Sequence, residues 1–139
     1  MNLAKKVVEK MINGDAFSKW LGIEILEINT NFCKLKIKVR EEMTNGFKIA
    51  HGGITYSLAD SCLAFAANAD GLKAVSIETS ISHTKKVNSG DTLTAISKQV
   101  DKSNKTALYY ITITNQYNLE VAHFKGTVYR TEKEWFPKN

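Results

Sequence analysis

Residues 45–61, NGFKIAHGGITYSLADS, hold the groups with the clearest capacity for chemistry. A glycine pair, Gly52-Gly53, begins a predicted helix directly after His51. The first N–H groups of a helix have no internal partners and lie at the positive end of the helix dipole, and glycine lets another group approach them closely. The pattern therefore predicts either a main-chain site for an anion or oxyanion, or a tight turn that needs glycine for its backbone angles.

Asp60 is a carboxylate within the apolar part of the same predicted helix, between Leu58 and Leu63. Burying an unpaired carboxylate costs several kcal/mol. Its position therefore predicts either a side chain that faces a water-filled groove, or one that faces a cleft and takes part in a reaction. Ser61 follows Asp60, and a hydroxyl at such a position more often packs within the fold than donates to a site.

The spacing of Gly53 and Asp60 constrains any site that uses both residues. Seven positions separate them. They therefore lie on nearly the same helix face but about 10 Å apart along the axis, at ~1.5 Å per residue. One small reacting group cannot touch both. A shared site requires Asp60 from a second chain, with two antiparallel helices across a two-fold axis and two equal sites.

Asn45 precedes the predicted helix by one short loop. Its side-chain amide donates and accepts hydrogen bonds, so it can fix a water molecule or orient a carboxylate. The dipeptide Asn45-Gly46 is equally typical of a plain turn.

Hydrophobic periodicity predicts the helices that surround these residues. Residues 3–12 have apolar side chains at helical spacing and end at Asn13-Gly14, and Asp15 can cap a second short helical turn. Residues 53–70 are apolar on nearly all sides, which predicts a buried helix closed by Gly71.

Strand patterns account for most of the remaining chain. Residues 22–40 alternate apolar and charged side chains, as in a strand with one face in water. After the buried helix, four strands joined by short turns predict an antiparallel meander: 75–81, 92–100, 107–114 and 121–130.

This order of elements predicts one α+β domain over residues 1–139, with an amino-terminal helix in 1–14 and a tail in 132–139. A chain of this length has enough residues for one core but not for two. One antiparallel sheet must wrap the central helix, because nothing else in the chain can cover an apolar helix. That arrangement is the hotdog fold. The open edges of such a sheet favour pairing with a second copy.

Composition argues against several classes of function. The net charge is +5, but the lysines are dispersed along predicted strands rather than clustered with aromatic residues. This argues against nucleic acid and leaves a solvated face or a phosphate-bearing small ligand. Cys33 and Cys62 are expected to be free thiols, and the three histidines are too scattered for a metal site. Without a membrane-spanning run or a secretory signal, we expect a cytoplasmic protein.

Several motifs together resemble one family. They are NG at 45–46, HGG at 51–53, SLADS at 57–61, GDTLTA at 90–95 and LGI at 21–23. Their combined spacing is similar to that of the PaaI group of hotdog acyl-CoA thioesterases, and the resemblance extends over residues 15–130.

The resemblance implies hydrolysis of an acyl-CoA whose acyl group is aryl or short to medium in length, of the phenylacetyl or hydroxyphenylacetyl type. In this family the backbone N–H at Gly53 would polarise the thioester carbonyl. Asp60 from the partner subunit would act as nucleophile or as general base for water. Asn45 would place the water or the carbonyl, and His51 would support the loop by hydrogen bonding.

The resemblance also implies the substrate-binding positions Gly52, Ser61 and Lys85. Lys85 falls where the family often has the arginine of an Arg-Pro pair, so it keeps a positive charge for a CoA phosphate, while Lys86 replaces the proline. The family uses no metal and no cofactor besides the CoA of its substrate. Its members form dimers that commonly pair into tetramers.

Two other functions are open on the same fold. A non-catalytic acyl-CoA binding or sensing module would keep the helix start and Lys85 but would not need Asp60. A hydratase or dehydratase would pair an aspartate with a histidine at adjacent positions, whereas Asp60 is two turns away from His51. Thioester hydrolysis suits the residues better, because its carbonyl develops an oxyanion and a thiolate is a good leaving group.

Overall fold

The computed structural model describes residues 2–138, and Met1 and Asn139 of the predicted domain lie outside that range. The α-helices are α1 (Leu3–Asn13), α2 (Ala16–Leu21) and α3 (Gly52–Asn68), and a short 3-10 helix covers Glu41–Met43. The strands are β1 (Glu24–Asn29), β2 (Phe32–Lys38), β3 (Leu72–His83), β4 (Thr92–Lys102), β5 (Thr106–Thr114) and β6 (Glu120–Glu134). No helix within residues 2–138 is long and apolar enough to cross a membrane.

The six strands form one antiparallel sheet in the order β1-β2-β4-β5-β6-β3. Helix α3 packs against this sheet and contacts β2 through β6. Its inward side chains are almost fully excluded from water: Leu58, Ala59, Cys62, Leu63 and Ala66. Cys33 and Cys62 are buried free thiols, as predicted. An apolar helix covered by one antiparallel sheet confirms the predicted hotdog fold and its buried central helix.

Residues 22–40 form a hairpin, and the prediction of a single strand there is wrong. β1 and β2 join through a turn at Asn31, whose φ of 58° lies in the left-handed region that asparagine tolerates. The sequence pattern concealed β1 because its side chains do not alternate: Ile25 and Leu26 are both exposed, and Ile28 is buried.

β4, β5 and β6 form the predicted meander, but β3 does not pair with β4. It pairs with β6 at the sheet edge, because β4 already has β2 on one side and β5 on the other. Residues 84–91 therefore cross the start of α3, where the Ala50 N–H donates to the Val87 carbonyl at 2.8 Å. The edge position leaves Val75 and Ile77 59% and 60% exposed.

The helix ends agree with the sequence analysis, with one shift. Gly14 caps α1 and Asp15 caps α2, as predicted. Helix α3 ends at Asn68, so Gly71 lies three residues beyond its end rather than directly after it. The reason is the Asn68 side chain, which accepts the Ala74 N–H at 2.9 Å and donates to the Ala74 carbonyl at 3.1 Å.

The carboxy-terminal segment is more ordered than a tail. β6 continues to Glu134, and the Trp135 backbone N–H donates to the Gly71 carbonyl at 2.9 Å. The Trp135 indole N–H donates to the Asn68 side chain at 2.8 Å. Residues 132–134 of the predicted tail therefore extend the sheet, and Trp135 holds the end of α3.

Gly126 in β6 allows the sheet to approach α3 closely. A Cβ atom placed there would lie 2.5 Å from Leu63 Cδ2 and 3.1 Å from Phe124 Cε1. Because Leu63 is only 1% exposed, it has little room to move. We expect Gly126→Ala to lower the free energy of unfolding, measured in urea titrations, by about 1–3 kcal/mol.

The double variant Gly126→Ala with Leu63→Ala should lose less stability than the sum of the two single losses, by about 0.5–3 kcal/mol. Gly46→Ala is the matched control, because nothing lies within 4 Å of the methyl group it adds. Strictly additive losses would show that the contact between Gly126 and Leu63 does not limit packing.

Candidate active site

The His51 side chain caps the start of α3. Its Nδ1 accepts a hydrogen bond from the Gly53 N–H at 2.9 Å, so a neutral His51 ring carries its proton on Nε2. The His51 backbone N–H donates to the Met43 carbonyl at 2.8 Å and fixes the preceding loop. The Gly53 N–H is therefore engaged within the chain, whereas the Gly52 N–H has no partner within residues 2–138.

The glycine pair provides space for two imidazole rings. A Cβ atom on Gly53 would lie 3.1 Å from His51 Nδ1, and one on Gly52 would lie 3.3 Å from His83 Nε2. A side chain at either position would therefore push a ring aside. Neither glycine has a positive φ, so the interpretation of the pair as a turn that needs glycine for its backbone angles is wrong.

His83, at the end of β3, is fixed by Thr55. The Thr55 Oγ1 lies 3.0 Å from the Gly52 carbonyl oxygen and 3.1 Å from His83 Nδ1. A carbonyl oxygen only accepts, so the single hydroxyl proton goes to Gly52, and the His83 Nδ1–H donates to Thr55. In a neutral ring, Nε2 is therefore the acceptor, and it faces the first residue of α3.

A cavity of about 280 Å³ opens in front of the α3 start. Its lining includes Asn45, Gly52, His83, Lys85 and Lys86. Within the described part of the chain none of its lining residues is acidic, so basic side chains and the helix dipole both favour a negatively charged group here. Asn45 Oδ1 accepts the Phe47 N–H at 2.9 Å, as in the turn considered for it, which leaves the Asn45 NH₂ group available.

Asp60 lies in a different cavity, of about 440 Å³, between α3 and β3. Its side chain is half-buried, and its carboxyl has no hydrogen-bond partner between residues 2 and 138. Burial raises the pKa of the Asp60 carboxyl above its ordinary value, and the negative charge of Asp15 raises that pKa further. A carboxyl with a raised pKa in a cavity is typical of a functional base.

The two cavities share no lining residue among those described. One chain therefore holds Asn45 and Lys85 together at the start of α3 and holds Asp60 elsewhere, as the helical spacing requires. Ser61 does not line either cavity. Its Oγ lies 2.8 Å from Ser18 Oγ in α2, which agrees with a packing role.

Comparison with known proteins identifies the family. A family model described as the thioesterase superfamily matches residues 47–122. The acyl-coenzyme A thioesterase PaaI of Escherichia coli K12 is 38% identical over 120 residues, which cover 86% of each chain. This chain belongs to the thioesterase superfamily.

Solved structures of this thioesterase fold agree with the assignment. The structure of the E. coli PaaI protein from the phenylacetic acid degradation operon has a TM-score of 0.92 and 35% identity, covering 94% of this chain and 95% of that one. A hypothetical thioesterase protein from Streptococcus pneumoniae TIGR4, solved with coenzyme A, has a TM-score of 0.84 and 26% identity, covering 90% and 98%. The chain is thus a thioester hydrolase of the PaaI type, as its motifs indicate.

Two residues of this thioesterase were missed as site residues by sequence reasoning. His83 faces Gly52, but it belongs to none of the motifs from which the site was predicted. The negative charge of Asp15 raises the pKa of the Asp60 carboxyl, yet the sequence indicated Asp15 only as a helix cap. No spacing along the chain shows that α2 lies beside the middle of α3.

His51→Ala should lower the free energy of unfolding by about 0.5–2 kcal/mol, because the Gly53 N–H loses its capping acceptor. His51→Asn keeps an acceptor at the cap and should lose clearly less stability. Urea unfolding of the two variants beside wild type measures the difference. Equal losses in both variants would show that the capping bond does not stabilise α3.

Proposed function

We propose that this thioesterase hydrolyses an acyl-CoA to a free acid and CoA, with Asp60 as the nucleophile or general base. The observation that carries the proposal is the Asp60 carboxyl, half-buried in a cavity, with no partner in the described chain and with a raised pKa. Such a group lowers the stability of a fold, and groups of this kind are concentrated at functional sites. The name of the E. coli relative and the coenzyme A in the S. pneumoniae structure support the substrate class.

The proposed reaction begins with the thioester carbonyl at the start of α3. Its oxygen accepts the Gly53 N–H in place of His51 Nδ1, and the free Gly52 N–H lies beside it. Both donors are at the positive end of the helix dipole, where negative charge that develops on the oxygen is stabilised. The Asn45 NH₂ group, in the adjoining cavity, holds the water or the carbonyl.

Asp60 supplies the other half of the reaction. As a general base it takes a proton from water while the water oxygen bonds to the carbonyl carbon; the C–S bond then breaks and CoA leaves as a thiolate. As a nucleophile it bonds to the carbonyl carbon itself, the thiolate leaves, and water hydrolyses the resulting anhydride. Neither route needs an activated serine or a cofactor besides the CoA of the substrate.

The cavity at the start of α3 is proposed to receive the substrate. Lys85 offers a point charge to a CoA phosphate, with Lys86 beside it. Ile49 and Ala50 provide apolar lining for the acyl group. The proposed acyl group is aryl or short to medium in length, such as phenylacetyl or hydroxyphenylacetyl, and this choice rests on the likeness to PaaI.

The separation of the two cavities makes a homodimer part of the proposal. β3 is the surface best suited to it, because one side of this edge strand is unpaired and Val75 and Ile77 are exposed. Val75 also lines the Asp60 cavity, so a second chain against β3 would reach that cavity. A two-fold axis then gives two equal sites, each with Gly53 from one chain and Asp60 from the other. Two such dimers would pair into a tetramer.

Asp60→Asn should lower kcat for thioester hydrolysis by at least ~10²-fold, because the amide cannot take a proton from water or form the acyl bond. The measurement is thiol release from a panel of acyl-CoAs: phenylacetyl, hydroxyphenylacetyl, benzoyl, and acetyl to lauroyl. Asp101→Asn, the same change at an exposed carboxylate of β4, is the matched control and should keep wild-type turnover.

Two results would contradict the proposal. Tight binding of acyl-CoAs by the wild-type protein, with no turnover of any member of the panel, would indicate a non-catalytic binding module. Undiminished turnover by the Asp60→Asn variant would show that this carboxyl takes no part in the reaction.

A further inference from the structure

A continuous line of hydrogen bonds connects Asp15 to the helix that carries Asp60. Asp15 Oδ1 accepts the Ser18 N–H at 2.9 Å, and Oδ2 accepts the Ser18 hydroxyl at 2.6 Å. Ser18 Oγ lies 2.8 Å from Ser61 Oγ, and Ser61 is the residue next to Asp60 in α3. Ser18 is only 1% exposed, so water does not compete for these bonds.

While Asp15 is ionised, all the hydroxyl hydrogen bonds along this line run in one direction, toward Asp15. A carboxylate only accepts, so Ser18 donates its single hydroxyl proton to Asp15. Ser61 must then donate its own proton to Ser18. Ser61 therefore has no proton left for Asp60 or for a substrate, and it can act there only as an acceptor.

We propose that Asp15 is a positioning residue for the reaction at Asp60. Through Ser18 and Ser61 it holds the turn of α3 that carries Asp60 against α2, and its negative charge strengthens Asp60 as a base. The inference rests on the proposed function, because it takes Asp60 to be the group that accepts a proton or attacks the carbonyl.

Two charged groups of the described chain bear on Asp60, one through its charge and one by lining the same cavity. Asp15 stands at the start of α2, and Lys73 of β3 lines the same cavity as Asp60, with its ammonium 5.0 Å from the centroid of the Trp135 ring. The other residues found to line this cavity, from α1, α3, β3, β6 and Trp135, are uncharged. Asp15 does not line the cavity, so its charge can be removed without changing the cavity wall.

The direction of the pH effect follows from the proposed role of Asp60. Asp60 works only when it is ionised, so activity falls as the pH decreases through its pKa. Burial and then Asp15 raise that pKa. Removing the Asp15 charge lowers the pKa, so activity should persist to lower pH, and the weaker base should give a lower kcat on the plateau.

Asp15→Asn tests the inference, because asparagine caps a helix as well as aspartate does. We expect the acid limb of the kcat/KM profile to move to lower pH, because the negative charge that raises the Asp60 pKa is gone. On the plateau, kcat should fall while KM stays the same. Carbon-13 NMR titration of the Asp60 carboxyl should show the same downward shift without any use of activity. Asp101→Asn, at an exposed carboxylate, is the control and should leave both measurements unchanged.

Ser18→Ala separates the two parts of the inference. It breaks the line of hydrogen bonds but keeps the Asp15 charge, so kcat should fall while the acid limb stays in place. An unchanged kcat in this variant would overturn the positioning role.

Suppose that activity requires Asp60, but that Asp15→Asn changes neither the acid limb nor the titration of the Asp60 carboxyl. That result would overturn the electrostatic role of Asp15 and leave its positioning role intact. Absence of thioester hydrolysis in the wild-type protein would instead overturn the proposed function. The NMR titration would then still decide whether Asp15 acts on Asp60.

Discussion

The rigid geometry of α3 is the constraint on which the site depends. A helix advances ~1.5 Å per residue, so the backbone N–H of Gly53 and the turn that carries Asp60 are held about 10 Å apart. The sheet covers the apolar sides of α3, and residues such as Leu58 are fully buried against it. A helix packed in this way cannot bend to bring its start and its carboxylate to one thioester. The second chain in the proposed site is thus a consequence of the core of the fold rather than of any surface feature.

The position of β3 beside β6 determines the surroundings of both halves of the proposed site. Because β3 and β4 are not neighbours, residues 84–91 must cross the start of α3, and they bring Lys85 and Lys86 into the same cavity as Gly52. The same topology leaves β3 at the sheet edge, where Lys73 and Val75 form part of the wall of the Asp60 cavity. The pairing of β3 with β6 therefore produces the basic cavity, the open sheet edge and the partly covered Asp60 carboxyl.

Local patterns predicted much of this fold because their signals lie within a few residues of each other. The all-apolar run at 53–70 indicated a buried helix, and Asp15 indicated a cap. Strand β1 escaped notice because exposed Ile25 and Leu26 break its alternation. The pairing of β3 with β6 was not predicted. It follows only once β2 and β5 are known to be the two neighbours of β4.

The residues of the proposed site come from family motifs, whereas His83 and Asp15 lie outside those motifs. Motif spacing indicated Asn45, His51 and Asp60 as candidates, whereas no motif indicated His83. The contact of Thr55 with His83 joins residues 28 positions apart, and that of Ser18 with Ser61 joins residues 43 apart. No periodicity reports such contacts, because they depend on how separate elements pack.

The central claim is that one active site takes its carbonyl donor and its carboxylate from different chains. The most direct test is a purified heterodimer of an Asp60→Asn chain and a Gly53→Pro chain, co-expressed with different tags. Proline in the first turn of α3 removes the Gly53 N–H, and its Cβ also displaces the His51 ring, so both variant chains are first shown to fold by circular dichroism. Each homodimer should be inactive, and the heterodimer should regain about half of wild-type activity, because one of its two sites is intact. A heterodimer as inactive as both parents would show that each chain holds a whole site.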